Sequence, residues 1–130
     1  MALSRPPTAQ ELQHRVAFDR REDVDDGRGN IEGAFAEAFR VWAAFRSRGG
    51  SEAVVAARLE GRNIIGVYLR SSTQTRQIQS DWQMRDLRHG SWEGEGADRY
   101  WSGPVYAVKI VDAVTDRSWV YLEVQTGVSP

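Results

Sequence analysis

The chain contains no cysteine, which excludes disulfides, thiolate nucleophiles and every zinc site built on sulfur ligands, and it suits a reducing compartment. It has only two histidines, His14 and His89, far apart and without HxH or HxxxH spacing, so neither a metal site nor a nucleophile–base pair has a motif behind it. Lysine is almost missing: Lys109 stands alone among seventeen basic residues. Those seventeen balance eighteen acidic residues, which leaves no positive excess for sequence-independent binding of nucleic acid. No apolar run reaches the length of a signal-peptide core or a membrane span, so synthesis in the cytoplasm and no membrane partner are expected.

What is present is 130 residues, 41% hydrophobic and 27% charged, enough for one compact domain. Arginine as the cation, together with five tryptophans, is the composition of a contact surface, because guanidinium pairs bidentately and stacks on rings. A genome rich in G and C is the alternative source of so much arginine. The densest acids, Glu22, Asp23, Asp25 and Asp26, sit in a glycine-bearing stretch where burial is not expected, which argues against carboxylate catalysis. Their spacing is wrong for a calcium loop, and Gly27-x-Gly29 and Gly94-x-Gly96 lack the frame of a phosphate loop. No catalytic residue, metal or cofactor is expected.

Residues 1–12 read as an N-terminal tail with one capped turn around Ala9 to Leu12, residues 13–126 as the domain, and residues 127–130 as a C-terminal tail. Alternation predicts a strand over Gln13 to Arg20, with Val16 and Phe18 on one face and Arg15, Ala17 and Asp19 on the other. Arg21 to Gly33 reads as a mobile acidic loop. Ala34 to Phe45 fits an amphipathic helix and a strand equally well, and Ser51 to Arg62, after the Gly49-Gly50 joint, also stays open between helix and ribbon. Strands are expected over Asn63 to Arg70 and Ile78 to Asp86, with a polar loop at Ser71 to Arg76. Leu87 to Gly103 has four glycines and no period, and reads as a long excursion bearing Trp92, Tyr100 and Trp101. Val105 to Val111 and Trp119 to Gln125 form a hairpin, with Tyr106, Val108 and Ile110 facing Val120, Leu122 and Val124.

Several strings, in this order, carry a family resemblance. Leu12-Gln13-His14-Arg15-Val16-Ala17-Phe18-Asp19-Arg20 is followed by Asp26-Gly27-x-Gly29-Asn30 and Val41-Trp42-Ala43-Ala44-Phe45. Then come Gly50-Ser51-Glu52, Ala56-Ala57-Arg58-Leu59-Glu60-Gly61-Arg62, Val67-x-Leu69-Arg70, and a close at Val105-Tyr106-Ala107-Val108-Lys109-Ile110, Asp116-Arg117 and Tyr121-Leu122-Glu123-Val124. Together they resemble the head-tail joining (head-closure, or stopper) proteins of long-tailed phages and gene transfer agents. The stretch Leu87 to Gly103 departs from that family in being longer than its usual connection.

The resemblance implies a strand over about Ala38 to Arg46 and a mainly β fold, a small antiparallel β-barrel or sandwich with long loops and at most one or two short helices. It implies a structural virion protein, made in the host cytoplasm and placed at the head–tail interface. Identical subunits would form a six- or twelvefold ring between the portal–adaptor complex and the tail terminator, extending and gating the channel for packaged double-stranded DNA. The channel or intersubunit loop maps onto Arg46, Arg48, Gly49, Gly50, Glu52, Arg58, Glu60 and Arg62. Asp25, Asp26 and Arg28, with Trp92, Tyr100 and Trp101, map onto loops that dock the adaptor or the tail. The competing reading is an OB-like module that stacks single-stranded bases on Trp82, Trp92 and Trp101 beside Arg85.

Overall fold

The structure is a computed structural model that describes residues 7–25, 27, 31–47 and 63–126, with the backbone alone at 24, 25, 31–33 and 47. Its strands are β1 (His14–Asp25), β2 (Ile31–Ser47), β3 (Ile64–Arg70), β4 (Gln83–Asp86), β5 (Ser91–Glu93), β6 (Tyr100–Ser102), β7 (Val105–Asp112) and β8 (Trp119–Gln125). The only helical turns among the described residues are short 3-10 turns, at Ala9–Glu11, Thr75–Gln77 and Gly96–Asp98. Six strands pair antiparallel in the order β1-β2-β3-β8-β7-β4, and β4 pairs back on β1 to close a barrel, while β5 and β6 make a separate hairpin. The mainly β fold is as the resemblance implied, and Ala34 to Phe45 lies wholly within β2.

Period-two alternation builds the interior. Val16 and Phe18, Val67 and Leu69, Met84, Val108, and Val120, Leu122 and Val124 point inward, with Phe39, Trp82 and Ile78 packed among them. Full burial of each large apolar side chain here stabilises the fold by about 1.5–3 kcal/mol. The alternate residues Tyr68, Trp119 and Tyr121 form a second cluster with Ala44 on the outer surface, and Leu12 packs against it. Residues 7–12, expected as tail, are seated there: Arg46 at the end of β2 donates Nε and Nη2 to the Glu11 carboxylate at 3.0 Å each and lies over Tyr68.

Four expectations need correction. Arg21 to Gly33 is not a loop throughout, because β1 and β2 stay in register from Arg21↔Phe35 to Asp25↔Ile31. The backbone ladder holds this ribbon without the apolar alternation that marks a half-buried strand. The strand over Ile78 to Asp86 begins only at Gln83; Ile78 and Trp82 reach the core from a turn in which Trp82 N–H donates to Gln79. Leu87 to Gly103 is not irregular, since it contains the β5–β6 hairpin. Ile110 does not face the core: a register shift between Val108 and Ile110 turns it outward to 49% exposure, and Val111 packs inward instead. Residues 1–6, Ser51 to Arg62 and the tail at 127–130 lie outside the described residues.

His14 opens β1 with its ring stacked on Phe45 at 3.9 Å, and its Nδ1 is buried without a hydrogen-bond partner among the described residues. Burial lowers its pKa below the ordinary 6.5, with Arg88 and His89 adding to that effect and Asp86 opposing it. The native protein therefore binds fewer protons at this site than the unfolded chain. Its contribution to stability is complete above pH 6.5 and is lost as the pH falls through the folded value. Thermal melts of the wild type should weaken between pH 7.5 and 5.5, and His14→Phe should flatten that slope; an equal slope in the variant would show that another group sets it.

Candidate functional site

Two features leave the barrel on the same side of β1. The first is the far part of the β1–β2 hairpin. β4 lies beside β1 only from Val16 to Asp19, and β3 lies beside β2 only from Ala44 to Ser47. Beyond Asp19 the pair runs on as a two-stranded ribbon with no third strand among the described residues. At about 3.3 Å per residue, Arg20 to Asp25 carry it about 20 Å outward. Arg20 pairs with Glu22 at 2.9 Å, and Arg21 lies over the Phe35 ring.

The second is the β5–β6 hairpin, which folds back as a flap over the outer face of β1 and β4. Gly90 and Gly103 permit this fold. A Cβ on Gly90 would collide with the Trp101 ring, and Gly103, at φ +152, would place one 2.5 Å from the Gly90 backbone. Trp92 and Trp101 face each other across the hairpin, edge to face at 5.7 Å. Two guanidinium groups lie over Trp92, Arg85 at 5.1 Å and Arg99 at 4.6 Å, and Arg85 also lies 5.0 Å from Trp101.

Beneath the flap lies an ion cluster in which Asp19 and Arg85 are buried and Glu37 is exposed. A register shift after Phe18↔Phe39 leaves Ala38 as the extra residue and puts Asp19 opposite Glu37, two like charges in a directly facing pair. Arg85, on β4 and diagonal to Asp19, joins them. Its Nε and Nη2 reach the two Asp19 oxygens at 2.8 Å each, and Nη2 also reaches Glu37 at 2.8 Å. Gln83 donates to Asp19 at 2.7 Å. Arg85 is 2% exposed and Asp19 3%. Burial opposes the charge on Arg85, but the two carboxylates outweigh it and hold its pKa above the ordinary value. Burial likewise pushes Glu37 up, and Arg85 with Arg40 more than reverses this, so its pKa is lowered. A cavity of about 260 Å³ between the flap and the base of the ribbon is lined by Phe35, Glu37, Trp92, Trp101 and Val105 with the cluster.

These placements bear on each candidate residue. Arg46 is engaged by Glu11 at the edge of the barrel, whereas Arg48, Gly49, Gly50, Glu52, Arg58, Glu60 and Arg62 lie outside the described residues, as do Asp26 and Arg28. Asp25 is the last residue of β1. Trp92, Tyr100 and Trp101 come together on the flap, Trp92 at 42% and Tyr100 at 59% exposure. Of the base-stacking set, Trp82 is in the core against Phe39, and Arg85 is committed to Asp19. Sequence reasoning missed the Asp19–Glu37–Arg85 cluster. Its one trace was an acid at an alternating position of β1, and only the pairing register brings its partners to it. Asp86 and His89 are joined at 2.8 Å, but Asp86 also accepts the Arg88 amide, so the pair closes the turn after β4.

A family model described as phage head completion protein matches residues 7–127. No curated protein sequence matches the chain. The solution structure of protein SF1141 from Shigella flexneri 2a is similar at a TM-score of 0.58 and 15% identity, covering 95% of this chain and all of that one, a likeness of fold.

Truncating Arg85 would leave the Asp19 carboxylate buried without its counter-charge and the two tryptophans without the cation they lie against. Arg85→Ala should cost about 3–5 kcal/mol in urea unfolding, and the tryptophan emission should shift to the red before the main transition as the flap loosens. A loss within the range of an exposed pair, under about 1 kcal/mol, would mean that the cluster does not hold the flap.

Proposed function

Because this chain belongs to the phage head completion protein family, a structural component of phage head assembly at the head–tail interface, we propose that it is the head-closure ring of the connector. In this reading identical copies, six or twelve around the axis, sit between the portal–adaptor complex and the tail terminator and continue the channel through which double-stranded DNA passes. The observation that carries it is the family match along nearly the whole domain.

The geometry supports the reading in two ways. A two-stranded ribbon is marginal in water by itself and gains by packing on another surface, so the β1–β2 ribbon is suited to reach a neighbouring subunit. The flap presents Trp92 and Tyr100 outward on a base fixed by the ion cluster, which suits a preorganised contact with the adaptor or the tail. The segment Arg46 to Arg62, with its alternating charges, is the part assigned to the lumen or the subunit boundary. No bond-making step is assigned to any side chain.

Negative-stain imaging of the purified chain mixed with the portal–adaptor complex of its particle should show a closed ring stacked on the adaptor. A chain that leaves the adaptor bare, yet shifts a labelled single-stranded oligonucleotide with a steep dependence on salt, would replace the connector by a nucleic-acid-binding module.

A further inference from the structure

At the end of β1 opposite the ribbon, β2 and β3 part. Their ladder ends at Ala44↔Tyr68, and beyond it a groove of about 390 Å³ opens, lined by Arg15, Arg40, Trp42 and Arg70 together with Leu12 and Thr75. Three guanidinium groups line this groove and, among the described residues, no carboxylate does. Arg40 reaches Glu37 at 3.1 Å. Arg15 lies over Trp42 and Arg70 over Trp119, and neither has a carboxylate partner among the described residues. Trp42 is 51% exposed. A concave site with three arginines, two of them without a carboxylate partner among the described residues, and an open tryptophan is complementary to an acidic polypeptide segment.

The chain carries such a segment. Three of the four residues from Glu22 to Asp25 are acidic, and they fall at the far end of the ribbon. They cannot fill the groove of their own molecule. Arg15 and Glu22 lie on one extended strand, about 20 Å apart, with the ribbon leading away from the groove. We infer that the Arg15–Arg40–Arg70 groove receives the acidic end of the β1–β2 ribbon of a second copy. Donor and acceptor surfaces are then different patches at opposite ends of β1, a heterologous head-to-tail contact of the kind that closes into a ring. The inference rests on the ring reading above and names the contact that builds the ring.

The test reverses charge on each side, in the full chain and with the same adaptor complex. Arg15→Glu with Arg70→Glu makes the groove acidic, and Glu22→Arg with Asp23→Arg makes the ribbon basic. Each double variant alone should assemble roughly tenfold less well than wild type. An equimolar mixture should recover, because every basic ribbon then meets an acidic groove and every acidic ribbon a basic one in an alternating ring. Wild-type assembly by either variant, or no recovery in the mixture, would overturn the inference and leave the connector reading standing. Failure of the wild-type protein to form rings would overturn the connector reading itself.

A second measurement does not depend on the charge variants folding. Since the chain is free of cysteine, Asp23→Cys with Gln74→Cys should give a ladder of disulfide-linked oligomers on oxidation. Asp23→Cys with Val114→Cys, which puts the second thiol on the fully open β7–β8 turn, should give none. Equal ladders from the two pairs would sink the proposed contact.

Discussion

Arg85 is held by Asp19 and Glu37 in a place that water barely reaches, and most of the outer architecture follows from satisfying that charge. The register shift at Ala38 brings two carboxylates face to face, and a guanidinium from a third strand is needed to keep them there. Because Arg85 comes from β4, its bond to Asp19 crosses the short seam where β4 meets β1 and the barrel closes. Because the pair is buried, something must cover it. The β5–β6 flap supplies that cover with the two indole rings that lie over the guanidinium.

The flap, the seam and the root of the ribbon are therefore one mechanical unit. A ribbon rooted in loose packing would sample many directions and lose entropy on docking. This one leaves the barrel from Asp19 and Glu37, both fixed by Arg85, so its exit direction is set before any partner arrives. In the proposed ring, where every copy presents the same surface, rigidity at that point is the useful property.

The preference for arginine gains a structural account in the same way. Arg15, Arg21, Arg46, Arg70, Arg85 and Arg99 each lie over an aromatic ring. A planar guanidinium can stack and form a carboxylate fork at once, as Arg46 does with Tyr68 and Glu11, and an ammonium group cannot. Whatever codon bias supplied these residues, the fold uses them as covers for aromatic rings, some buried, as Tyr68 and Trp119, and some exposed, as Trp42 and Trp92.

The sequence by itself determined the β7–β8 hairpin, the β3 strand and the interior residues Val16, Phe18, Val120, Leu122 and Val124, because these depend on local alternation and burial of apolar groups, whereas the class of fold came through the family resemblance. It also carried the family, through the order of weak strings along the whole domain. What only the tertiary structure decided were the features set by pairing between distant strands. Two register shifts turned Ile110 outward and placed Asp19 against Glu37. The extension of β1 and β2 through a polar stretch rests on backbone bonds that leave no mark in composition, and the flap depends on where Gly90 meets Gly103. A single chain read in order shows which residues prefer a strand; it does not show which residue of another strand each will face, and charge burial is fixed by that facing.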